Sequence, residues 1–355
     1  MTKNSFVLAL ATLVGTVIGA GVFGIPFVIA QSGVVPGIVY LLILGAAVMY
    51  MYLFLGEIAL RTNTKMRLIG YARTYLGKWA EVLVFFSTVV GIVGALLAYI
   101  IIGGDFLRLV IPSSMVASDL VLNLAFWAVL SLFIFRGIQL IAKMELFMTL
   151  GLLASILVIF VFAIPHIEAT NYTAVNLPSI FVPFGVILFA LGGWVAIPEI
   201  ADLFKSRKER GNLDNLIVIA LTIVGIFYLL FSLLVIGVSG NETSPDALSG
   251  LVPFLGDKIM LIGGLFGLIA VAASFLVLGN YLKNSLRYDY KVPSFLAASI
   301  AVFAPLVLFL LGFREFIAVI GVVGIIVGVI EGIVIVLLYK AVKKKGQREP
   351  EYSLS

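Results

Sequence analysis

The chain has 355 residues, of which 62% are hydrophobic and 12% charged, with a net charge of +5 and a mean hydropathy of +1.21. This composition excludes a water-soluble globular domain and defines an integral membrane protein. Having no cysteine and a single histidine, His166, the chain also lacks the means for disulfides, thiolate chemistry, iron–sulfur ligation or a His-based haem or zinc site.

A bilayer-spanning helix needs roughly 20 apolar residues. Reading apolar runs against charged breaks gives ten spans, near 6–31, 35–60, 80–104, 119–136, 144–164, 178–201, 214–238, 258–282, 293–311 and 315–339. The first run is as long as its neighbours and ends in no small-residue cleavage site, so it reads as a retained span and not a signal peptide. Between the second and third spans, "TKMRLIGYARTYLGKW" (64–79) is too charged to cross and mixes apolar with basic residues, which predicts a short interfacial helix. The segments "PHIEATNYTAVNLPS" (165–179) and "SGNETSPDALSG" (239–250) read as turn-rich loops on the opposite side, and each carries an Asn-x-Thr triplet, at Asn171 and Asn241. Residues 340–355 form a basic tail.

With alternating loops, 20 of the 23 Lys and Arg residues fall on the side that holds both termini, and only Arg108, Lys258 and Arg314 fall on the other. The positive-inside rule then predicts a multi-pass protein of the plasma (cell) membrane with both termini cytoplasmic. Adding or dropping one span in the middle would invert every later loop and destroy this asymmetry, so the number of spans is even. The basic runs "KSRKER" (205–210) and "KAVKKK" (340–345) are accordingly cytoplasmic anchors, and the lipid bilayer, not nucleic acid, is the expected macromolecular surroundings.

Two spans are interrupted. "GTVIGAGVFGIP" (15–26) puts glycines and a proline inside the first, and "LFALGGWVAIPEIADLF" (188–204) does the same in the sixth. One such stretch alone would read as close helix packing, as do Gly263–Gly267 and Gly321–Gly328. Two breaks at corresponding positions of two five-helix halves instead point to an inverted-repeat carrier with its site near the midplane. Non-helical backbone survives at that depth only where it is buried in protein or lines a polar cavity. Around Gly19, Ala20, Gly21 and Val22 the outer half-helix presents free amides and a positive dipole end, which suit a carboxylate. The carbonyls near Thr16, Val17 and Ile18, together with those of Ala190, Leu191 and Gly192, suit an ammonium group or a cation. A zwitterion matches both ends, and a bulky residue at Gly21 is expected to crowd the carboxylate position.

These residues carry a resemblance. "GTVIGAGVFGIP" and "LFALGGWVAIPEI" resemble the first- and sixth-helix signatures of the amino acid–polyamine–organocation superfamily. "LLAYIIIGGDFL" (96–107) and "AASFLVLGNYLKNSL" (272–286) resemble its amino acid/auxin permease branch, particularly prokaryotic aromatic and hydroxy amino acid permeases. The resemblance implies a LeuT-type five-plus-five inverted repeat with helices 1 and 6 broken. It implies one transmembrane domain over 1–355, with repeats near 6–164 and 178–339. Function would be secondary active transport of a neutral, apolar or aromatic amino acid by alternating access. By motif position the substrate carboxylate would meet the amides of Ala20, Gly21 and Val22, and the amino group the carbonyls of Thr16 or Ile18 and of Ala190 to Gly192. Phe189 and Trp194 would border the side-chain pocket, with Tyr99 as gate or wall. A coupling Na+ would lie between the carbonyls of Gly15 and Ile18 and the hydroxyl of Ser274, beside which Ala273 offers no second hydroxyl. No other cofactor is implied.

Glu331 stands well inside the tenth span. A carboxylate there is costly unless protonated or paired, which makes it a candidate for coupling to H+. Glu57, Glu199 and Asp202 end their spans and are expected at a cytoplasmic gate, pairing with Arg61 or Lys143, whereas Asp105 and Arg108, one turn apart, are expected to pair with each other. An amino-acid-binding membrane sensor without transport is the alternative function, with no output domain in the short termini to favour it. An enzyme is not expected: "GGDF" (103–106) is similar to an intramembrane aspartyl protease motif, but Ile102 stands where that motif needs glycine, and no Ser/His dyad is available.

Overall fold

In a computed structural model the chain is described over residues 3–111, 118–137, 142–172, 175–204, 206–288 and 291–354, and among these residues there is no strand. The first interrupted span is two helices, α1 (Lys3–Val17) and α2 (Gly21–Ser32), bent by 54° across residues 18–20. Then come α3 (Val34–Leu60), the short α4 (Leu68–Leu76), α5 (Lys78–Val110), α6 (Asp119–Arg136) and α7 (Ala142–Ala163). The second interrupted span is α8 (Val182–Ala190), an unwound stretch with a single 3-10 turn (Trp194–Ala196), and α9 (Ile197–Leu203). It is followed by α10 (Arg207–Arg210), α11 (Leu213–Ser239), α12 (Val252–Leu255), α13 (Asp257–Tyr288), α14 (Ser294–Leu310) and α15 (Phe316–Lys345). Among the described residues seven helical segments are long and apolar enough to span a membrane; the bent pair makes an eighth, and shorter apolar helices at Ala154–His166 and Ser294–Leu310 bring the apolar helical segments to ten. Large apolar side chains such as Phe181, Phe295 and Leu311 point outward, as a lipid-facing surface requires.

The packing sorts the helices into two groups joined by α15. The broken helices α1/α2 and α8/α9 pack with α3 and α11, while α5, α6, α7, α13 and α14 pack mainly among themselves. α15 lies against both α8 and α5. Its approach to α8 is close enough that a Cβ on Gly324 would fall within 3 Å of the Gly185 carbonyl carbon and the Phe189 amide nitrogen, so the small residues here are packing contacts between spans six and ten. α4 is present as predicted, but Leu68, Tyr71, Ala72 and Tyr75 are buried, and it packs on α5 and α15 in place of lying free at an interface.

On the face that carries both termini, the chain after α15 folds back over α3. Tyr352 donates to the Leu53 carbonyl (2.6 Å), and the Leu354 amide (2.8 Å) and Ser353 hydroxyl (3.1 Å) donate to Glu57, which Arg61 also meets (2.8 Å). Burial, and then the neighbouring Glu57 carboxylate, push the Tyr352 phenol well above its ordinary range, so it remains a donor. The expected Glu57–Arg61 pair is therefore present; the side chain of Lys143 lies outside the described residues. Arg108 makes its ion pair with Asp119 of α6, which replaces the expected pair with Asp105. Asn171 turns inward and donates to the Gly237 (2.8 Å) and Val238 (3.2 Å) carbonyls, a loop-fastening role.

Candidate substrate site between the two broken helices

The local sequence explains both breaks. α1 stops where Gly19 follows Ile18: the Gly19 amide turns back to the Val17 carbonyl (2.9 Å), and Val22 and Phe23 donate to Gly19 and Ala20 (3.2 Å each). Among the backbone hydrogen bonds of this stretch, none uses the amides of Ala20 and Gly21, which are left at the N-terminus of α2. In the sixth span Gly193 adopts φ 155° and ψ 0°, a conformation closed to residues with a Cβ, and a Cβ there would meet the Tyr52 hydroxyl at 2.8 Å. Pro198 restarts the helix in the first turn of α9, where its missing amide costs nothing.

The two breaks face one cavity of about 270 Å³. From the first broken span Gly15, Thr16, Gly19, Ala20 and Gly21 line it, and from the sixth Phe189, Ala190, Gly192 and Trp194. Tyr99 of α5, Ser274 of α13 and Glu331 of α15 line it as well. Three of the residues singled out in the sequence do not: Ile18 and Val22 are turned into the core, and Leu191 is buried with its carbonyl facing Tyr52. The bend leaves Gly19, Ala20 and Gly21 facing the gap and turns Ile18 and Val22, on either side of them, into the core. Val22 is further removed as a donor because its amide is already bonded to Gly19.

Gly21 also differs from expectation. A Cβ there would lie 2.6 Å from the Ala190 Cα, so this glycine is where α2 and α8 cross, whereas a Cβ on Gly19 would meet nothing within 4 Å. The open position of the break is Gly19.

The carbonyls freed by the breaks are only partly available to a ligand. The Tyr228 hydroxyl reaches both the Val17 carbonyl (2.9 Å) and the Ala190 carbonyl (2.8 Å), and Tyr52 donates to the Leu191 carbonyl (3.0 Å). Both tyrosines are buried and stand near the middle of their helices, not at the ends where tyrosines of membrane helices gather. A mid-span phenol must find an acceptor; that signal was available in the sequence and identifies residues the motif reading passed over. The Trp194 indole N–H donates to Glu331 Oε2 (2.6 Å) and Thr88 to Oε1 (3.2 Å), so the buried carboxylate ties the second break to α5 and α15. Among the described residues Glu331 is the one charged side chain of the lining; the remainder includes Ile92, Ala95, Val277, Leu278, Val323 and Val327.

The two ends of the cavity are unlike. Beyond Gly21 along α2 and beyond Tyr99 along α5, Phe23, Phe106 and Phe231, all buried, pack edge to face with centroids 4.8 Å and 6.4 Å apart. Toward the termini Tyr281 lines it, with the Arg67 guanidinium 4.9 Å over the ring and paired to Glu199 at 2.8 Å; Lys65 pairs with Asp202 at 3.2 Å. These partners, at the span ends where a gate was expected, are largely solvent-exposed.

Helices one and six unwound opposite each other around one cavity define the LeuT-type fold. Two solved structures share the fold: MhsT in complex with L-phenylalanine (TM-score 0.61, 16% identity, covering 95% of this chain and 88% of that one), and MHP1, a nucleobase-cation-symport-1 family transporter, closed with bromovinylhydantoin bound (TM-score 0.60, 15% identity, 93% and 77%). The model of the tryptophan/tyrosine permease family matches residues 2–355, and the chain belongs to that family. Among curated relatives, glutamine transporter 2 of Aliivibrio fischeri (strain ATCC 700601 / ES114) is 24% identical over 354 residues, covering 96% of this chain and 90% of its own length.

Proposed function

We propose that the protein is a secondary active symporter of a neutral amino acid with an apolar or aromatic side chain, driven by a proton or sodium gradient and working by alternating access with both termini cytoplasmic. The carrying observation is a cavity whose backbone donors, at Ala20 and Gly21, suit a carboxylate, while its walls offer aliphatic and aromatic surface and a single charge. An ammonium group would use the remaining acceptors at Thr16 and Gly192. Tyr99, Phe189 and Trp194 would contact the side chain. Among the described residues no cationic or second anionic group stands in the lining to neutralise a charged side chain, which favours a neutral substrate; the relatives' names put tryptophan, tyrosine, phenylalanine and glutamine in the first panel to test.

Coupling through Glu331 is favoured by its position, since it shares the cavity with the substrate and receives a hydrogen bond from the sixth-span break. A proton taken up there would change the hydrogen bond to Trp194 and so the shape of that break. The sodium reading rests on Gly15 and Ser274 lining the same cavity; Ile18, the third proposed ligand, lies outside the lining. Uptake into proteoliposomes, with pH and sodium gradients imposed separately, tests the proposal. Accumulation of at least one neutral amino acid under one gradient is expected, and Glu331→Gln should abolish accumulation driven by pH while leaving counterflow exchange. No accumulation of any amino acid under either gradient contradicts the function, and unaltered pH-driven uptake by Glu331→Gln contradicts the coupling.

A further inference from the structure

We propose that Tyr228 is a positioning residue that holds the two unwound segments in the geometry that binds the amino acid, a role that rests on the transport reading above. Tyr228 belongs to α11, is fully buried and does not line the cavity, so it touches no substrate. Its hydroxyl lies within hydrogen-bond reach of two carbonyls at once, that of Val17, the last residue of α1, and that of Ala190, the last residue of α8. One phenolic proton is thus shared between the ends of the two broken helices. Tyr52 serves the neighbouring Leu191 carbonyl and reaches only one break.

This bond fixes the peptide planes that lead into the breaks. The Val17 carbonyl turns away from the cavity toward Tyr228, which sets the path through Ile18 and Gly19 to the unbonded amides of Ala20 and Gly21. At Ala190 the same proton sets the path into Gly192 and Gly193. Without the hydroxyl the Ala190 carbonyl loses this donor and the Val17 carbonyl keeps only the Gly19 amide, and both segments could reorient. The substrate would then have to order the breaks as it binds, and that cost falls on affinity. Because Tyr228 lies outside the side-chain pocket, the penalty falls on the part common to all amino acids.

The test compares wild type, Tyr228→Phe, Tyr228→His and Tyr52→Phe in proteoliposomes, using labelled L-tryptophan, L-phenylalanine and L-glutamine and normalising to inserted protein. Tyr228→Phe is expected to raise KM about tenfold for every amino acid transported, with the ranking of substrates and the maximal rate within about twofold of wild type. Tyr228→His, which keeps a ring N–H, should recover part of the loss, and Tyr52→Phe should raise KM less. A merely structural role would lower the amount of inserted protein or the maximal rate and leave KM alone. Unchanged KM in Tyr228→Phe, or equal KM in the Phe and His variants, overturns the role while wild-type uptake leaves the transport reading intact. Should Tyr228→Phe insert too poorly to assay, Tyr228→His decides: a KM raised for every amino acid transported, with the maximal rate kept, supports the role, and a wild-type KM overturns it. Failure of the wild-type protein to accumulate any amino acid under either gradient overturns both.

Discussion

Two glycines two residues apart have opposite duties. Gly21 is a contact: adding a methyl group drives it into the Ala190 backbone and would force α2 and α8 apart, at a cost of about 1–3 kcal/mol of overpacking. Gly19 borders the cavity with nothing within 4 Å of its missing Cβ, so a larger side chain there occupies substrate space without disturbing a helix contact. We therefore expect Gly19→Leu to insert and melt like wild type but lose uptake, and Gly21→Ala to melt at lower temperature. Thermal melting of the purified variants alongside uptake checks the pair; wild-type uptake by Gly19→Leu would contradict the placement of the substrate. In the sequence both glycines belong to one motif, and their different roles depend on which way each faces after a bend whose angle no spacing specifies.

At the scale of elements, the carboxy-terminal segment behaves as part of the fold. Glu57 is fully buried and receives three donors, of which two, Ser353 and the Leu354 amide, come from this segment. Ending the chain at Gly346 would leave the carboxylate with Arg61 alone, and each buried acceptor deprived of its partner costs about 1–3 kcal/mol. The truncated protein is expected to melt several degrees lower, and Glu57→Gln should recover part of that loss in the truncated chain while destabilising the full-length one. A truncated protein with wild-type melting would show that the docked tail contributes nothing. This docking was not legible in the sequence, where 346–354 reads as a polar end with no periodicity. The spans were legible for the opposite reason: in a bilayer, composition and length determine the helix almost alone. Likewise the breaks were visible because Gly192, Gly193 and Pro198 are strong local interruptions. The long-range bonds that stabilise them, from Tyr228, Tyr52 and Glu331, join residues far apart in sequence, and motif matching has no term for such pairs.

Taken as a whole, the molecule has two unlike layers on either side of the breaks. The aromatic layer of Phe23, Phe106 and Phe231 is buried and joins α2, α5 and α11, whereas the layer toward the termini depends on exposed ion pairs and Arg67 over Tyr281. Exposed pairs are weak, typically under about 1 kcal/mol, so the ion pairs hold the terminal side less firmly than buried aromatic packing holds the other. Between these layers the proposed amino acid would have its carboxylate on the α2 amides and its side chain among Tyr99, Phe189 and Trp194. The most direct test is an experimental structure of the protein with L-tryptophan, or with whichever amino acid it transports best, bound. The account predicts density between the two breaks, with the ligand carboxylate within hydrogen-bond distance of the Ala20 and Gly21 amides. A ligand bound elsewhere, or one in this cavity with its carboxylate turned from those amides, would contradict it.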